Sequence, residues 1–141
     1  MLIGVSHLIS PELLKILCEM GHGDELVLAD SNFPGVSNAR RLVRADGIPI
    51  ADLLSGIAPL FPFDKYAQPL FMMQVAAGDI LDPAVEADYM NVIRKYNPQI
   101  AAPERIERHA FYERARSAYG VLMSGETRVY GNLIIKKGVV V

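Results

Sequence analysis

The sequence predicts an α/β domain with a largely parallel central sheet covered by helices on both faces, and three observations predict it. The apolar runs Leu26–Ala29 (LVLA) and Pro69–Ala76 (PLFMMQVA) do not alternate with polar residues, as strands buried on both faces require. Stretches with apolar residues at helical spacing lie between such runs. Two cap-plus-proline signals, Ser10-Pro11 and Asp82-Pro83, announce helix starts. The 141 residues form one domain, 1–141, with no composition shift, repeat or low-complexity tract to divide them.

Taken in order, Ser10-Pro11-Glu12 opens a helix with a hydroxyl cap, proline in the first turn and an acid at the positive dipole end. Leu13, Leu14, Leu17 and Met20 follow on one face, and Gly21 is a natural stop. Leu26–Ala29 is the first strand, and residues 30–39 (DSNFPGVSNA) read as loop. Arg41–Ala45 is a short strand closing at Asp46-Gly47. A second helix runs from Ile50 through Leu53, Leu54 and Ile57 until Pro59 ends it. Pro69–Ala76 is a central strand. After Asp82-Pro83, the residues Val85, Tyr89, Val92 and Tyr96 line one helical face. Residues 97–105, with two prolines, read as irregular. Phe111, Ala115, Ala118 and Tyr119 mark a further helix that begins near Phe111. Val121–Ser124 and Leu133–Lys136 read as closing strands around Tyr130-Gly131-Asn132.

Bulk chemistry removes several function classes. Sixteen acidic groups against fourteen basic ones leave no basic stripe for nucleic acid. Arg40, Arg41 and Arg44 form the one basic cluster and read as a solvated face. No stretch reaches the ~20 apolar residues of a membrane span. The start, MLIGVSHLISPELL, lacks the basic and apolar segments of a signal peptide, and a single cysteine excludes an internal disulfide. Both observations point to the cytoplasm. Cys18 falls within an apolar helical pattern and reads as a buried small hydrophobe. The hydrophobic content of 51% is high for so small a domain, and subunit interfaces are one outlet, which favours a homo-oligomer.

No glycine-rich phosphate loop, nucleotide fingerprint, nucleophile elbow or metal-ligand spacing is present. The chemistry therefore falls to ordinary side chains, without metal or cofactor. His22, between Gly21 and Gly23, can give and take a proton near neutral pH. Gly21 also explains part of the motif as a helix stop, whereas Gly23 has no capping duty and fits close approach of a ligand. Asp30 follows the first strand, where ligands gather in open α/β sheets; it equally suits the start of a turn with Asn32 and Pro34. Tyr130-Gly131-Asn132 is ordinary hairpin chemistry or a third functional place. Arg108 can donate several hydrogen bonds to hydroxyl or carboxylate oxygens, and nothing in spacing decides the role of His109.

These marked places fall within motifs that together resemble the ribose pyranase and fucose mutarotase family. The carriers are SPELLKIL at 10–17, EMGHGDE at 19–25, LAD-x-NFP at 28–34, RADG at 44–47, AFYERA at 110–115, and YGN at 130–132 followed by LIIKKG. They span nearly the whole chain in one order. NFP, RADG and FYERA bring it closer to the fucose branch.

The resemblance implies interconversion of α and β anomers of a free sugar without metal or nucleotide. By position it makes His22 the catalytic histidine, Asp30 and Arg108 sugar contacts, and Tyr130 and Asn132 the tyrosine and asparagine of the last motif. Tyr130 doubles as a second proton donor or acceptor. The resemblance further implies ring-shaped oligomers with that last motif lent to a neighbour's site. A fucose-like monosaccharide is the expected partner; ribose or another aldose, and a non-catalytic sugar-binding subunit, are the alternatives. One difficulty is built in: eight residues separate His22 from Asp30, up to about 26 Å along a straight strand.

Overall fold

In the computed structural model, which describes residues 1–141, eleven elements follow one another: α1 (Pro11–Glu19), β1 (Glu25–Ala29), α2 (Gly35–Asn38), β2 (Leu42–Arg44), α3 (Ile50–Ile57), β3 (Leu70–Met73), α4 (Pro83–Ile93), β4 (Glu104–Ile106), α5 (Arg108–Ser117), β5 (Gly120–Met123) and β6 (Leu133–Lys136). Both cap-plus-proline signals hold. The Ser10 hydroxyl accepts the N–H of Leu13, and the Asp82 carboxylate accepts that of Ala84.

The six strands form one sheet in the order β2-β5-β1-β6-β3-β4. β2, β5 and β1 run parallel, as do β3 and β4; β6 sits between β1 and β3 and is antiparallel to both. Five strands thus point one way and β6 the other. The sheet is largely parallel, as the non-alternating runs predict. Alternate residues of each strand serve two cores. Leu26, Leu28, Leu70, Met72, Leu122, Leu133 and Ile135 pack under α1, α3 and α4. Val27, Ala29, Phe71, Met73, Val121 and Ile134 face Phe111 and Ala115 of α5 and Ala118 just after it.

Several expectations are corrected. The loop at 30–39 contains the single-turn helix α2, and the irregular stretch before residue 106 contains β4, an edge strand of three residues. α4 ends at Ile93; its buried face is Val85, Tyr89, Met90 and Ile93, while Tyr96 lies beyond it and is exposed. α5 begins three residues early because Glu107 caps it, accepting the N–H groups of His109 and Ala110. Cys18 is exposed, on the outer side of α1. Tyr130-Gly131-Asn132 does not join a hairpin: β1 lies between β5 and β6, so the segment crosses over one strand.

Candidate functional site

Topology gathers most of the predicted residues at one end of the sheet. Asp30 follows β1, Ser124–Glu126 follows β5, Gln74–Asp79 follows β3 and Arg108 follows β4. Because β6 runs the other way, its start, Tyr130–Asn132, lies at the same carboxyl end.

Asp30 and Asn132 are both buried and interlocked. The Asp30 N–H donates to Asn132 Oδ1 at 2.7 Å, and Asn132 Nδ2 donates to Asp30 Oδ2 at 2.9 Å. The N–H of Asn32 donates to Asp30 Oδ1 at 3.0 Å. Thus Asn132 is bonded to the aspartate of its own chain. Burial pushes the Asp30 carboxyl above its ordinary value against the hydrogen bonds from Asn32 and Asn132, and the nearby Glu126 adds to the rise.

Tyr130 is half-buried at φ +59°, a left-handed conformation unusual for a non-glycine residue. Its hydroxyl donates to the Asp79 carboxylate and accepts the N–H of Ala76 at 3.1 Å. The hydrogen bond to Asp79 raises its pKa, and the positive charge of Arg108 acts the other way. Arg108 is exposed in the first turn of α5, where a cation opposes the helix dipole. His109, beside it, lines a shallow groove with Pro34, Asn38, Tyr112 and Arg116.

Beneath this end lies a polar network that no motif announces. Tyr89, fully buried on α4, donates its hydroxyl to the Gly131 carbonyl at 2.7 Å and lies 3.4 Å from Glu126 Oε2. Arg128 grips the buried Glu126 through Nε and Nη2 at 2.9 and 3.0 Å, and reaches Asp88 at 2.6 Å. A Cβ on Gly131 would fall 2.9 Å from both the Arg128 carbonyl oxygen and Glu126 Cγ, so only glycine passes here. Hydrogen bonds from Arg128 hold the Glu126 carboxyl below its ordinary value. Glu126 therefore stabilises the fold above the ordinary glutamate range, and that contribution is lost as pH falls through its folded titration. Asp30 has the opposite sign: its burial penalty is present at higher pH and relieved as pH falls. Tyr89 sits at helical spacing with other apolar residues and reads as plain core; only its hydroxyl, an oddity on a buried stripe, hints at more.

His22 is not part of this end. It precedes β1, whereas Asp30 follows it, and the strand between them is regular over all five residues. The two residues of one chain therefore stand at opposite ends of the sheet. His22 is exposed; its Nε2 lies 3.3 Å from Oδ1 of the buried Asp64, and its ring is tilted against Tyr66 at 5.5 Å. Gly23 adopts φ +87° and donates its N–H to the Lys137 carbonyl at 2.8 Å. The second glycine is thus explained by the turn itself, without a ligand. Asp64 and Tyr66 also line an open groove of about 680 Å³ between residues 63–69 and 96–101. No cluster of three or more His, Cys, Asp or Glu side chains is arranged to hold a metal, and no helix is long and apolar enough to cross a membrane.

Comparison with known proteins accords with this geometry. The chain is 56% identical over 140 residues to the L-fucose mutarotase of Actinobacillus pleuropneumoniae serotype 5b (strain L20), covering 99% of this chain and 97% of that protein. It is 57% identical to the L-fucose mutarotase of Histophilus somni (strain 129Pt), with the same coverage. Its fold superposes on the fucose mutarotase of Streptococcus pneumoniae in complex with L-fucose with a TM-score of 0.94 at 43% identity, covering 99% of this chain and all of that one. The model of the RbsD / FucU transport protein family matches residues 3–140. Matched across all but its outermost residues, the chain belongs to the RbsD / FucU family.

Proposed function

We propose that this protein is an L-fucose mutarotase whose sites are completed between copies of the chain. Asp30, Asn132, Tyr130 and Arg108 of one copy hold the sugar, and His22 of a neighbour handles the protons. The observation that carries this reading is the interlocked Asp30–Asn132 pair at the carboxyl end of the sheet, in a chain more than half identical to proteins of that activity. A carboxylate held by the N–H groups of Asn32 and Asn132 costs stability through its burial, yet its remaining lone pairs suit sugar hydroxyls.

The reaction needs only proton traffic. A proton leaves the anomeric hydroxyl, the bond from the anomeric carbon to the ring oxygen breaks, and the ring oxygen gains a proton. The aldehyde turns its other face, the ring recloses, and no net proton is consumed. An imidazole serves both directions near neutral pH. Tyr130, whose hydroxyl is already polarised by Asp79, supplies a second donor or acceptor.

Exchange spectroscopy of L-fucose anomers with and without the protein tests the activity. Faster exchange for fucose than for ribose is expected; no acceleration for any aldose overturns the reading, and saturable binding without acceleration leaves only a sugar-binding subunit. Because burial raises the Asp30 carboxyl, the KM for fucose should climb as pH falls, beginning above the 3.8 of an ordinary aspartate. A KM flat across that range removes Asp30 from sugar binding.

Shared sites have their own test. His22→Ala chains and Asp30→Ala chains, each inactive alone, should regain exchange when unfolded and refolded together, because some neighbours then pair an intact His22 with an intact Asp30. A mixture as inactive as its parents would mean that the two residues do not meet across subunits. The apolar side chains left at the surface, among them Tyr66, Tyr96 and Ile80, are consistent with an assembled state.

A further inference from the structure

We infer that Glu126 is a positioning residue of the sugar site: it joins the turn that bears Asp30 to the turn that bears Asn132, and sets sugar affinity through them. This rests on the proposed role of Asp30 and Asn132 in holding the sugar.

Asp30 and Asn132 lie 102 residues apart, so their mutual hydrogen bonds need both backbones held in register. Glu126 meets both sides. Towards Asp30 it works through its main chain. The Ser31 N–H donates to the Glu126 carbonyl at 2.8 Å. The Glu126 N–H donates to Ser124 Oγ at 3.1 Å, and that hydroxyl donates to the Ala29 carbonyl at 2.6 Å. The residues before and after Asp30 are thus both fastened to the turn that holds Glu126. Towards Asn132 it works through its side chain. Glu126 Cγ lies against Gly131, where an added Cβ would fall 2.9 Å from it. Its Oε2 lies 3.4 Å from the Tyr89 hydroxyl, which donates to the Gly131 carbonyl at 2.7 Å.

The side chain is held so that it cannot swing away. Oε1 accepts the Arg128 N–H at 3.1 Å and its Nε at 2.9 Å, and Oε2 accepts Nη2 at 3.0 Å. Arg128 is bound in turn to Asp88 of α4 at 2.6 Å. The turn itself stands on the RADG motif at 44–47. The Gly125 N–H donates to the Ile48 carbonyl at 2.8 Å, and the Ala45 N–H to the Met123 carbonyl at 2.8 Å. A Cβ on Gly125 would fall 2.5 Å from the Gly47 carbonyl carbon. Arg44 and Asp46 pair with each other at the surface, so the motif supports the turn through its backbone.

Glu126→Gln keeps the size of the side chain but turns an amide donor toward the donors of Arg128. The KM for fucose should rise about 3- to 10-fold, the loss of one net hydrogen bond, with kcat changed by less than about twofold. A purely structural role predicts a lower thermal midpoint and no such split. Leu54→Ala, which empties core under α3, is the control: it should cost comparable stability and leave KM within about twofold. A second readout needs no sugar. Hydrogen exchange of the Asp30 N–H, which Asn132 Oδ1 holds at 2.7 Å, should speed at least about 10-fold more than that of Val27 and Leu28 in Glu126→Gln. An unchanged KM, or equal acceleration of all three amides, would overturn the inference. Should Glu126→Gln fail to fold, Arg128→Gln releases the same carboxylate from a side chain 31% exposed. Its KM should rise in the same sense, and an unchanged value would again overturn the inference. Wild-type protein that neither binds nor exchanges any aldose would instead remove the proposed function, while the Asp30 amide would still report the coupling.

Discussion

His22→Ala should slow anomer exchange by about 10²–10⁴-fold, the span that a positioned acid–base group contributes. The fold should hardly notice. The side chain is nearly half exposed, with Asp64 and Tyr66 beside it, and Asp64 keeps the Tyr66 N–H when the ring is gone. Thermal midpoints of the two proteins should therefore lie within a few degrees, while exchange spectroscopy separates them by orders of magnitude. Free imidazole added to the variant should restore part of the rate, since the deletion leaves open space where the ring stood. A variant that exchanges fucose as fast as the parent would take His22 out of the chemistry. One that loses its fold would contradict the exposure of the ring.

The largest effect on stability is expected at Tyr89. Its side chain has no exposed surface, and truncating a buried aromatic costs about 3–5 kcal/mol. Tyr89→Ala also strips the Gly131 carbonyl of its donor and opens space beside Glu126. For a chain of this size such a loss should lower the midpoint by about 10 °C or more. Tyr89→Phe keeps the ring and deletes only the hydroxyl, at about 1–2 kcal/mol. The phenylalanine variant carries the functional information. If the hydroxyl fixes Gly131, then Asn132 loosens against Asp30 and the KM for fucose rises although the core stays filled. Urea denaturation followed by circular dichroism measures the first quantity and exchange kinetics the second. An unchanged KM would confine Tyr89 to packing.

What was legible in this sequence was whatever local chemistry announces. Ser10-Pro11 and Asp82-Pro83 place two helix starts because cap and proline act within one turn. Leu26–Ala29 reads as a doubly covered strand because burial on both faces leaves no room for polar alternation. Asp30 was readable from its place after that strand, and Asn132 from the motif it ends. Relations between distant segments were not readable. Nothing local says that β6 enters between β1 and β3, so Tyr130-Gly131-Asn132 resembles a hairpin when it is a crossover. Asp64 lies 42 residues from His22 and carries no signal until the ends of β1 and β6 are brought together. β4 is hidden by its three-residue length and by a proline just before it, and Cys18 by sitting on the exposed side of an amphipathic helix among apolar neighbours in sequence. The spacing that made His22 and Asp30 look too far apart for one site was itself sound: the strand between them is straight.

The strand that runs against the other five acts as a ruler. Its first neighbour, Asn132, is locked to Asp30; the residue after its end, Lys137, anchors the turn that carries His22. Only Leu133–Lys136 lie between the two anchors. Exchanging one apolar residue for another within this span is absorbed as packing. Removing or adding a single residue would turn every following side chain to the opposite face and leave one anchor out of step with its partner. Related chains should therefore vary in the composition of this segment far more freely than in its length.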